Sequence, residues 1–262
     1  ATFDARARYS QSNVVEIHQE AVSISYTKQG AVRQRGASGA SVQLGSATIP
    51  ASELAWQIEQ QLKQIARDVE KTFITGVFAN PTTNATARKT RGLLNAITTN
   101  TVAGPESATA ALSDPNGWDG VTADTIGDLL QLAWQNGGLQ EGETRTLIVN
   151  SSGKRRLSKI FIRDANYRES SRNVGGVNVQ TIETDFGICN IMLSRYMPAN
   201  KLIAASLEDL APAFLEVPGK GHFFAEPLAK TGAADKVQIY GEIGLRYGLE
   251  RKHAVLTTTP KA

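Results

Sequence analysis

The chain has 262 residues, of which 41% are hydrophobic and 20% are charged, and a formal net charge of +3 at pH 7. These values are ordinary for a folded protein with a sizeable core, and so small a charge excludes neither nucleic acid nor protein partners. No apolar run approaches the roughly 18 residues of a membrane-spanning helix, so we expect no membrane contact. The start lacks the apolar stretch of a signal peptide. The single cysteine, Cys189, excludes an internal disulfide and is expected to be a small buried side chain in a reducing compartment.

The amino-terminal fifth is predicted to be extended and to lack a core of its own. Apolar and polar residues alternate at 15–18 and again at 22–27, which is the period of strands with one face covered. From Gly30 to Gly45 the chain is rich in Gly, Ala, Ser and Gln and has no apolar stripe. This segment therefore needs another surface to lie against.

A long amphipathic helix is predicted next, ending before Pro81. Pro50 and Ser52 are start signals, and Glu53 suits the positive end of the helix dipole. About 26 residues would form a rod of roughly 39 Å against which a sheet can pack. The apolar stripe at steps of three and four consists of Leu54, Ile58, Leu62, Ile65, Val69, Phe73 and Val77.

Residues 81–122 are predicted to be mostly a connector. Gly104-Pro105 and the sequence Asp-Pro-Asn-Gly at 114–117 are typical of turns. Residues 92–97, which precede both turns, favour a short strand.

From Thr122 onward the pattern is that of a compact α/β unit. Thr122 is predicted to cap a helix that ends at residues 136–138, and the apolar run at 146–150 predicts a buried strand. Ser151 or Ser152 is then predicted to cap a short basic helix. Further strands are predicted at residues 177–182, 188–193 and 201–205.

A long strand pattern runs from Lys236 to Leu256 near the carboxy terminus. Its glycines, Gly241, Gly244 and Gly248, would weaken an isolated strand. They indicate bulges or close packing against another part of the chain.

The sequence has no catalytic or metal-binding signature with the required spacing. The three histidines, His18, His222 and His253, form no His-x-x-x-His pair and no cluster with cysteine, so structural or surface roles are expected. There is no Gly-x-Ser-x-Gly elbow, and the scattered carboxylates neither support nor exclude an acid/base pair. We therefore predict no enzyme activity, no metal and no cofactor.

Residues 151–154, Ser-Ser-Gly-Lys, resemble part of a phosphate loop. Ile148 occupies the position of the first glycine in that motif, and Arg155 the position of its Ser or Thr. A helix start is the preferred interpretation, because a loop without that glycine and hydroxyl cannot wrap a triphosphate.

Basic residues form four local clusters. They are Arg6 and Arg8; Arg33 and Arg35; Arg88, Lys89 and Arg91; and Lys154, Arg155 and Arg156. No aromatic residues alternate with them, as a stacking platform for single-stranded nucleic acid would require. They are interpreted as solvated faces or inter-subunit ion pairs, and sequence-independent contact with DNA phosphates is the alternative.

Three groups of segments, in this order and spacing, carry a resemblance to a known family. They are residues 13–17 with 22–25 and the helix 53–73; Thr-Asp-Phe-Gly at 184–187 with Ser-Arg-Tyr-Met-Pro at 194–198; and residues 228–236 with Tyr-Gly-Glu at 240–242. They span most of the chain, and none is a catalytic signature. On these segments the chain resembles the major capsid proteins of tailed bacteriophages, which have the Hong Kong 97-type capsid fold.

The resemblance implies an α+β, Hong Kong 97-like capsid fold with four parts. Residues 1–49 would form an extended loop or arm on a neighbouring subunit, and residues 50–121 the spine helix and the connector of the peripheral domain. Residues 122–217 would form the axial domain around five-fold and six-fold positions, and residues 218–262 the carboxy-terminal strands of the peripheral domain. The turn at 231–234 would lie near three-fold contacts.

The resemblance also concerns the start of the chain. Members of the family usually carry an amino-terminal arm and the first strand of the extended loop before the point where this chain begins. This fits either removal of that segment during maturation or a partial sequence.

The function implied by the resemblance is structural: self-assembly into hexamers and pentamers of an icosahedral phage head around double-stranded DNA. The implied partners are further copies of the chain, portal, decoration or cement proteins, and packaged DNA through non-specific contacts at the inner surface. The implied location is the virion, assembled in the host bacterial cytoplasm. Inter-subunit contacts are expected at Arg6, Arg8, Tyr26, Arg33, Arg35, Lys154, Arg155, Arg156, Lys230 and Asp235.

Two alternatives stay open from the sequence. An encapsulin-like nanocompartment shell protein shares the same fold and would differ by an inner pocket for a cargo peptide. A soluble α/β enzyme of unknown activity, built on residues 122–217, would be a monomer with measurable turnover.

Overall fold

The computed structural model describes residues 11–32, 42–44, 47–49, 52–83, 85–110, 113–163, 170–174 and 177–261. Four of the predicted contact residues, Arg6, Arg8, Arg33 and Arg35, lie outside the described residues. So does most of the Gly-rich part of the predicted arm. The described residues contain both helices and sheets, as the predicted α+β class requires.

The helices are α1 (Tyr26–Val32), α2 (Glu53–Thr75), α3 (Leu93–Ala96), α4 (Ala123–Gln135) and α5 (Ser151–Leu157), which continues into a π-helical turn at Ser158–Arg163. The strands are β1 (Glu16–Ser25), β2 (Val42–Leu44), β3 (Ala47–Ile49), β4 (Thr101–Ala110), β5 (Arg145–Val149), β6 (Ser170–Val174), β7 (Val177–Thr184), β8 (Gly187–Leu193), β9 (Lys201–Ser206), β10 (Ala211–Leu215), β11 (Phe223–Pro227), β12 (Ala234–Arg246) and β13 (Ala254–Lys261). Among them, β2 and β3 form a separate two-stranded hairpin.

A four-stranded antiparallel sheet is built around β12. β1 pairs with one edge of β12, and β10 and β11 pair in succession with the other edge. The two alternating patterns near the amino terminus lie in one continuous strand of 10 residues, β1. Its second pattern ends earlier than predicted, because α1 begins at Tyr26.

The face of β1 that is covered differs from the one that the first alternating pattern indicated. His18, Val22 and Ile24 are buried, whereas Ile17 is 45% exposed. A continuous strand places alternate residues on opposite faces, so Ile17 cannot share a face with Val22. The larger apolar contact of Val22 and Ile24 decides which face lies inward.

The predicted long helix is confirmed as α2, which packs on the four-stranded sheet. The Ser52 hydroxyl caps it by accepting a hydrogen bond from the N–H of Ala55 at 3.3 Å. Ile58 and Ile65 form a hydrophobic core with Val22 and Ile239 of the sheet. The helix ends at Thr75, and Val77, predicted to belong to its stripe, lies beyond it and is exposed.

The last turn of α2 belongs to a second hydrophobic core. Ile74 packs with Leu93 of α3, Ile203 of β9 and Leu245 of β12. The same helix therefore contacts two sheets, since β9 lies in a different sheet from β12.

A seven-stranded mixed sheet has the order β4-β13-β9-β5-β8-β7-β6. β4 with β13 and β5 with β8 are parallel pairs, and the other neighbours are antiparallel. α4 covers one face and buries Ile126, Leu129 and Leu130 against this sheet. Thr122 caps α4 as predicted, and the predicted strands at 146–150, 177–182, 188–193 and 201–205 are confirmed. Cys189 is free and buried, and burial raises the pKa of its thiol.

Two local predictions for residues 81–122 are wrong. Residues 92–97 contain the short helix α3 in place of a strand, and Gly104-Pro105 lies inside β4 in place of a turn. β4 is an edge strand that pairs only with β13 in this sheet, and an edge position tolerates the missing N–H of proline. The predicted turn at 114–117 is confirmed by a hydrogen bond from the Gly117 N–H to the Asp114 carbonyl at 3.2 Å.

Two predictions in the second half of the chain are also corrected. Asn150, and neither Ser151 nor Ser152, caps α5, because its side-chain oxygen accepts a hydrogen bond from the Gly153 N–H at 2.9 Å. The single strand pattern from Lys236 to Leu256 is divided into β12 and β13, which lie in different sheets. The residues that the sequence analysis assigned together to the carboxy-terminal strands, 218–262, therefore lie in two different sheets.

The close packing predicted for the glycines of this region is confirmed. The ring of Phe223 lies directly over Gly241, and the backbone of Val14 approaches Gly244, so neither position has room for a Cβ atom. Gly248 has a φ of +60°, which other residues rarely adopt.

No helix among the described residues combines the length and the apolar character needed to cross a membrane.

His253 is completely buried and hydrogen-bonded on both ring nitrogens. Nδ1 accepts from the Ser206 N–H at 3.2 Å, and Nε2 donates to the Tyr247 carbonyl at 2.9 Å. Only the neutral ring offers one acceptor and one donor, so protonation would lose the Ser206 contact. Burial accordingly lowers the pKa of His253.

We expect Ile58→Ala to lower the free energy of unfolding by about 2–5 kcal/mol, because it leaves a cavity between α2 and the sheet. Arg67→Ala, at an exposed position of the same helix, should change it by no more than about 0.5 kcal/mol. Urea unfolding followed by circular dichroism measures both. Equal effects of the two substitutions would show that α2 is not anchored through this face.

We expect the free energy of unfolding to decrease as the pH falls from about 7.5 to about 5.5. Below a pH of about 6.5 the unfolded chain binds protons that the buried neutral His253 does not, so protons favour unfolding, and the full stability is present above that pH. His253→Gln should flatten this dependence more than His18→Gln, because His18 borders a cavity. Urea unfolding at several pH values is the measurement, and an unchanged pH dependence in His253→Gln would contradict the assignment.

Candidate functional site

Three of the predicted contact residues, Tyr26, Lys230 and Asp235, meet on the surface with Gln29 and form what is termed here the polar cluster. The Lys230 Nζ donates to the Tyr26 hydroxyl at 2.9 Å and lies 3.2 Å from the Asp235 carboxylate. Gln29 donates to the other oxygen of Asp235 at 3.0 Å. These contacts lie within one subunit, and the Lys230 side chain remains 65% exposed.

The local fold explains how the polar cluster forms. β1 ends opposite the start of β12, and the Tyr26 N–H donates to the Ala233 carbonyl at 3.2 Å as α1 begins. The hairpin turn between β11 and β12 then places the Lys230 ammonium 5.4 Å from the centre of the Tyr26 ring. The pairing of β1 with β12 thus brings together Tyr26 and Lys230, which are about 200 positions apart in the sequence.

Mutual hydrogen bonds keep both charged groups of the polar cluster ionised. The Tyr26 hydroxyl and the Asp235 carboxylate raise the pKa of Lys230. The Gln29 amide and Lys230 lower the pKa of Asp235. The surface therefore presents a positive and a negative group side by side at neutral pH.

The predicted basic residues of α5 have different surroundings. The Arg156 Nε donates to the Val121 carbonyl at 2.9 Å, and its guanidinium lies 3.6 Å from the Asp119 carboxylate. Arg156 therefore attaches α5 to the preceding segment of the same subunit. Lys154 and Arg155 border a cavity beside it.

The four-stranded sheet presents an outer face on the side opposite α2. Ile17 and Leu215 both lie opposite Glu242 in the strand register, so the three side chains form one row across the sheet. Ile17 is 45% exposed and Leu215 is 46% exposed. In the next row, Phe224 packs against Tyr240 with ring centroids 5.6 Å apart. The outer face consists of five residues: Ile17, Leu215, Phe224, Tyr240 and Glu242.

Glu242 is buried in the middle of the outer face, with 6% of its surface exposed. It accepts hydrogen bonds from the Arg88 guanidinium at 2.8 Å and from the Tyr240 hydroxyl at 2.7 Å. The bond to Glu242, together with burial, raises the pKa of Tyr240. Because its charge is compensated inside the subunit, Glu242 does not prevent an apolar partner from covering Ile17 and Leu215.

Sequence reasoning missed the outer face, although one signal for it was present. Between residues 15 and 25 the apolar positions change from odd to even numbers with no Gly or Pro at which a strand could break. One of the two apolar sets must then be left exposed in a continuous strand. Leu215 had no such signal, because its exposure depends on pairing with β12.

Among the described residues, no group of three or more His, Cys, Asp or Glu side chains is placed to hold a metal ion.

Several solved structures of shell proteins have a similar fold. The SrpI encapsulin of Synechococcus elongatus PCC 7942 superposes with a TM-score of 0.61 at 12% identity, covering 94% of this chain and 74% of that chain. The capsid of an empty GTA particle gives a TM-score of 0.58 at 11% identity, covering 99% and 81% of the respective chains. The procapsid of satellite phage P4, with its size determination protein, gives a TM-score of 0.55 at 10% identity, covering 100% of this chain and 83% of that chain. These similarities establish the α+β, Hong Kong 97-type capsid fold that the sequence indicated.

No curated protein matches this sequence. The profile of the SU10 major capsid protein family matches residues 1–260. The match runs through both sheets, α2 and the polar cluster, and on this basis the chain belongs to the SU10 major capsid protein family and has a structural role in a phage capsid.

Proposed function

We propose that this chain assembles into the hexamers and pentamers of an icosahedral phage head that encloses double-stranded DNA. The observation that carries the proposal is the outer face, where large apolar side chains stay exposed although α2 covers the other side of the same sheet. Exposed apolar groups of this kind are typical of interaction surfaces. Membership in the capsid protein family supports a further copy of the chain as the partner.

We propose that the two sheets correspond to the two domains expected from the sequence. α2 and the four-stranded sheet would belong to the peripheral domain, and the seven-stranded sheet with α4 to the axial domain. β13 and β4 would then be counted with the axial sheet, because β13 pairs with β9. Residues 1–49 remain assigned to an arm on a neighbouring subunit, with β1 attaching it to the sheet of its own subunit.

Assembly through the outer face is energetically reasonable. Fully burying a Leu or Ile side chain contributes about 1.5–3 kcal/mol, and association must also offset the loss of translational and rotational freedom. Individual contacts in a closed shell can be weak, since each subunit makes several contacts and symmetry repeats them.

The polar cluster is proposed as a second inter-subunit contact, and α5 as a third. An ammonium group has three N–H donors, and Lys230 uses two of them with Tyr26 and Asp235. Its remaining capacity can bind a carboxylate of a neighbouring subunit. The exposed Arg155, with the partly buried Lys154 beside it, would contribute positive charge to this third contact, whereas Arg156 acts within its own subunit.

The remaining parts of the proposal concern partners and location. Portal, decoration or cement proteins would join the shell, and packaged DNA would touch its inner surface without sequence preference. Assembly would take place in the host bacterial cytoplasm, and the chain would have no catalytic activity and no cofactor.

A nanocompartment shell is the second candidate function. It is supported by the TM-score of 0.61 with the SrpI encapsulin. The two candidates differ in content, since a nanocompartment would hold cargo protein and a phage head would hold nuclease-resistant DNA.

Shell formation is tested by expressing the chain in bacteria and examining it by sedimentation and negative-stain microscopy. Closed shells support assembly, and a monomer at every concentration would contradict it. Particles isolated from the natural source and treated with nuclease then separate the candidates. Protected double-stranded DNA supports the phage head, and protein cargo without DNA supports the nanocompartment.

We expect Leu215→Asp to abolish shell formation, because it places a charge on the outer face. Leu215→Met, which keeps an apolar side chain at the same position, should assemble like the unaltered chain. Sedimentation measures assembly, and the unfolding midpoint checks that both variants are folded. Normal shells from a folded Leu215→Asp variant would show that the outer face is not an inter-subunit contact.

We expect Lys230→Gln to reduce the yield of shells while the unfolding midpoint of the unassembled subunit stays nearly unchanged, because an exposed ion pair contributes little to folding. Lys63→Gln removes a similarly exposed pair with Glu59 on α2 and serves as the control. Yield is measured as the sedimenting fraction. If Lys230→Gln and Lys63→Gln gave the same yield as the unaltered chain, the polar cluster would have no role in assembly.

A further inference from the structure

A cleft of about 660 Å³ lies between α5 with its π-helical turn and the segment 113–119. It is termed the basic cleft. Three serine hydroxyls and the Asn116 amide line it together with six charged side chains. The charged side chains are Lys154, Arg155, Arg156, Lys159, Asp114 and Asp119.

The two carboxylates of the basic cleft already have partners. Asp114 accepts hydrogen bonds from the Ser107 hydroxyl and from the Asp119 N–H, both at 2.8 Å. Burial acts to raise the pKa of Asp114, but these hydrogen bonds outweigh it and lower the pKa. Asp119 is paired with Arg156. Four cations and two such carboxylates leave the basic cleft with two net positive charges.

The walls of the basic cleft are held at a fixed separation. Gly153 of α5 packs so closely on the Trp118 ring that a Cβ atom would lie 2.8 Å from it. The Trp118 Nε1 donates to the Ala199 carbonyl at 2.7 Å, and Arg156 joins α5 to the Val121 carbonyl. Cations on rigid walls lose little conformational freedom when they bind an anion.

Two other cavities among the described residues do not have two net positive charges. The cavity between β1 and α2 has the carboxylates Glu16, Glu20 and Asp68 against two lysines. The cavity beside Tyr247 has Arg246 and Arg251 against Glu250. The basic cleft is the most positive of the three.

We propose that the basic cleft binds a phosphoryl group, either inorganic phosphate or a phosphodiester of a nucleic acid backbone. The four cations lie on the wall formed by α5 and its π-helical turn, and Ser113 and Asn116 add a hydroxyl and an amide on the opposite wall. This set of donors suits an anion with several acceptor oxygens better than a single carboxylate. Recognition of this kind is independent of nucleotide sequence. The proposal does not depend on shell formation, because the basic cleft is complete within one subunit.

The first experiment titrates inorganic phosphate into the purified chain by calorimetry at pH about 7.5, with chloride keeping the ionic strength near about 0.1 M. The double variant Lys154→Gln/Arg155→Gln is compared with Lys63→Gln, which removes one lysine from α2. Phosphate should bind the unaltered chain and Lys63→Gln equally, and the double variant at least about tenfold more weakly. Absence of phosphate binding, or equal binding by the double variant, would overturn the proposal.

A second variant covers the case in which the double variant does not fold. Lys159→Gln changes an exposed side chain at the rim of the basic cleft, and it should weaken phosphate binding with an unchanged unfolding midpoint in chloride. Unchanged phosphate binding by a folded Lys159→Gln variant would count against the proposal.

The source of the phosphoryl group is identified with a fluorescent DNA duplex of random sequence, monitored by anisotropy. If the duplex binds, phosphate competes with it, and the double variant lowers the salt dependence by about one counterion per lost contact, the source is a nucleic acid backbone. If phosphate binds the chain but does not compete with the duplex, the ligand of the basic cleft is inorganic phosphate. Duplex binding that neither phosphate nor the double variant changes would place DNA elsewhere and remove this source.

Discussion

The packing of α2 on two sheets is the contact on which the rest of the structure depends. Ile58 and Ile65 lie in the core against β1 and β12, while Ile74 at the other end lies in the core that includes β9. A helix of 23 residues is about 35 Å long and stiff. It therefore holds the four-stranded and seven-stranded sheets in one arrangement, although each sheet has its own hydrophobic contacts.

This arrangement decides which surfaces are left for partners. Because α2 covers one side of the four-stranded sheet, Ile17 and Leu215 on the other side remain exposed, and the buried Glu242 between them is compensated by Arg88 and Tyr240. The outer face, in which the charge of Glu242 is compensated within the subunit, suits contact with a second copy of the chain, as expected for a subunit of a capsid. The arrangement of such copies in a shell is a matter of symmetry, which a single subunit does not contain.

The basic residues show how one type of side chain takes different roles. Arg88 and Arg156 are used inside the subunit, where they compensate Glu242 and attach α5. Lys230 is on the surface in the polar cluster, and Lys154 and Arg155 border the basic cleft. The sequence clusters did not distinguish these roles, because neighbouring residues of a helix point in different directions.

The sequence by itself determined the family, the long helix with its Ser52 cap and most strands of the seven-stranded sheet. These depend on local signals: the steps of three and four between Leu54 and Phe73, and the apolar run at 146–150. Only the tertiary structure decided that Ile17 is exposed and His18 buried, that Gly104-Pro105 belongs to an edge strand, and that β12 and β13 lie in different sheets. An alternating pattern shows that a strand has an apolar face and a polar face, but the face that becomes covered depends on which element packs against it. That partner is provided by residues as far apart as β1 and β12, a pairing that no local pattern contains.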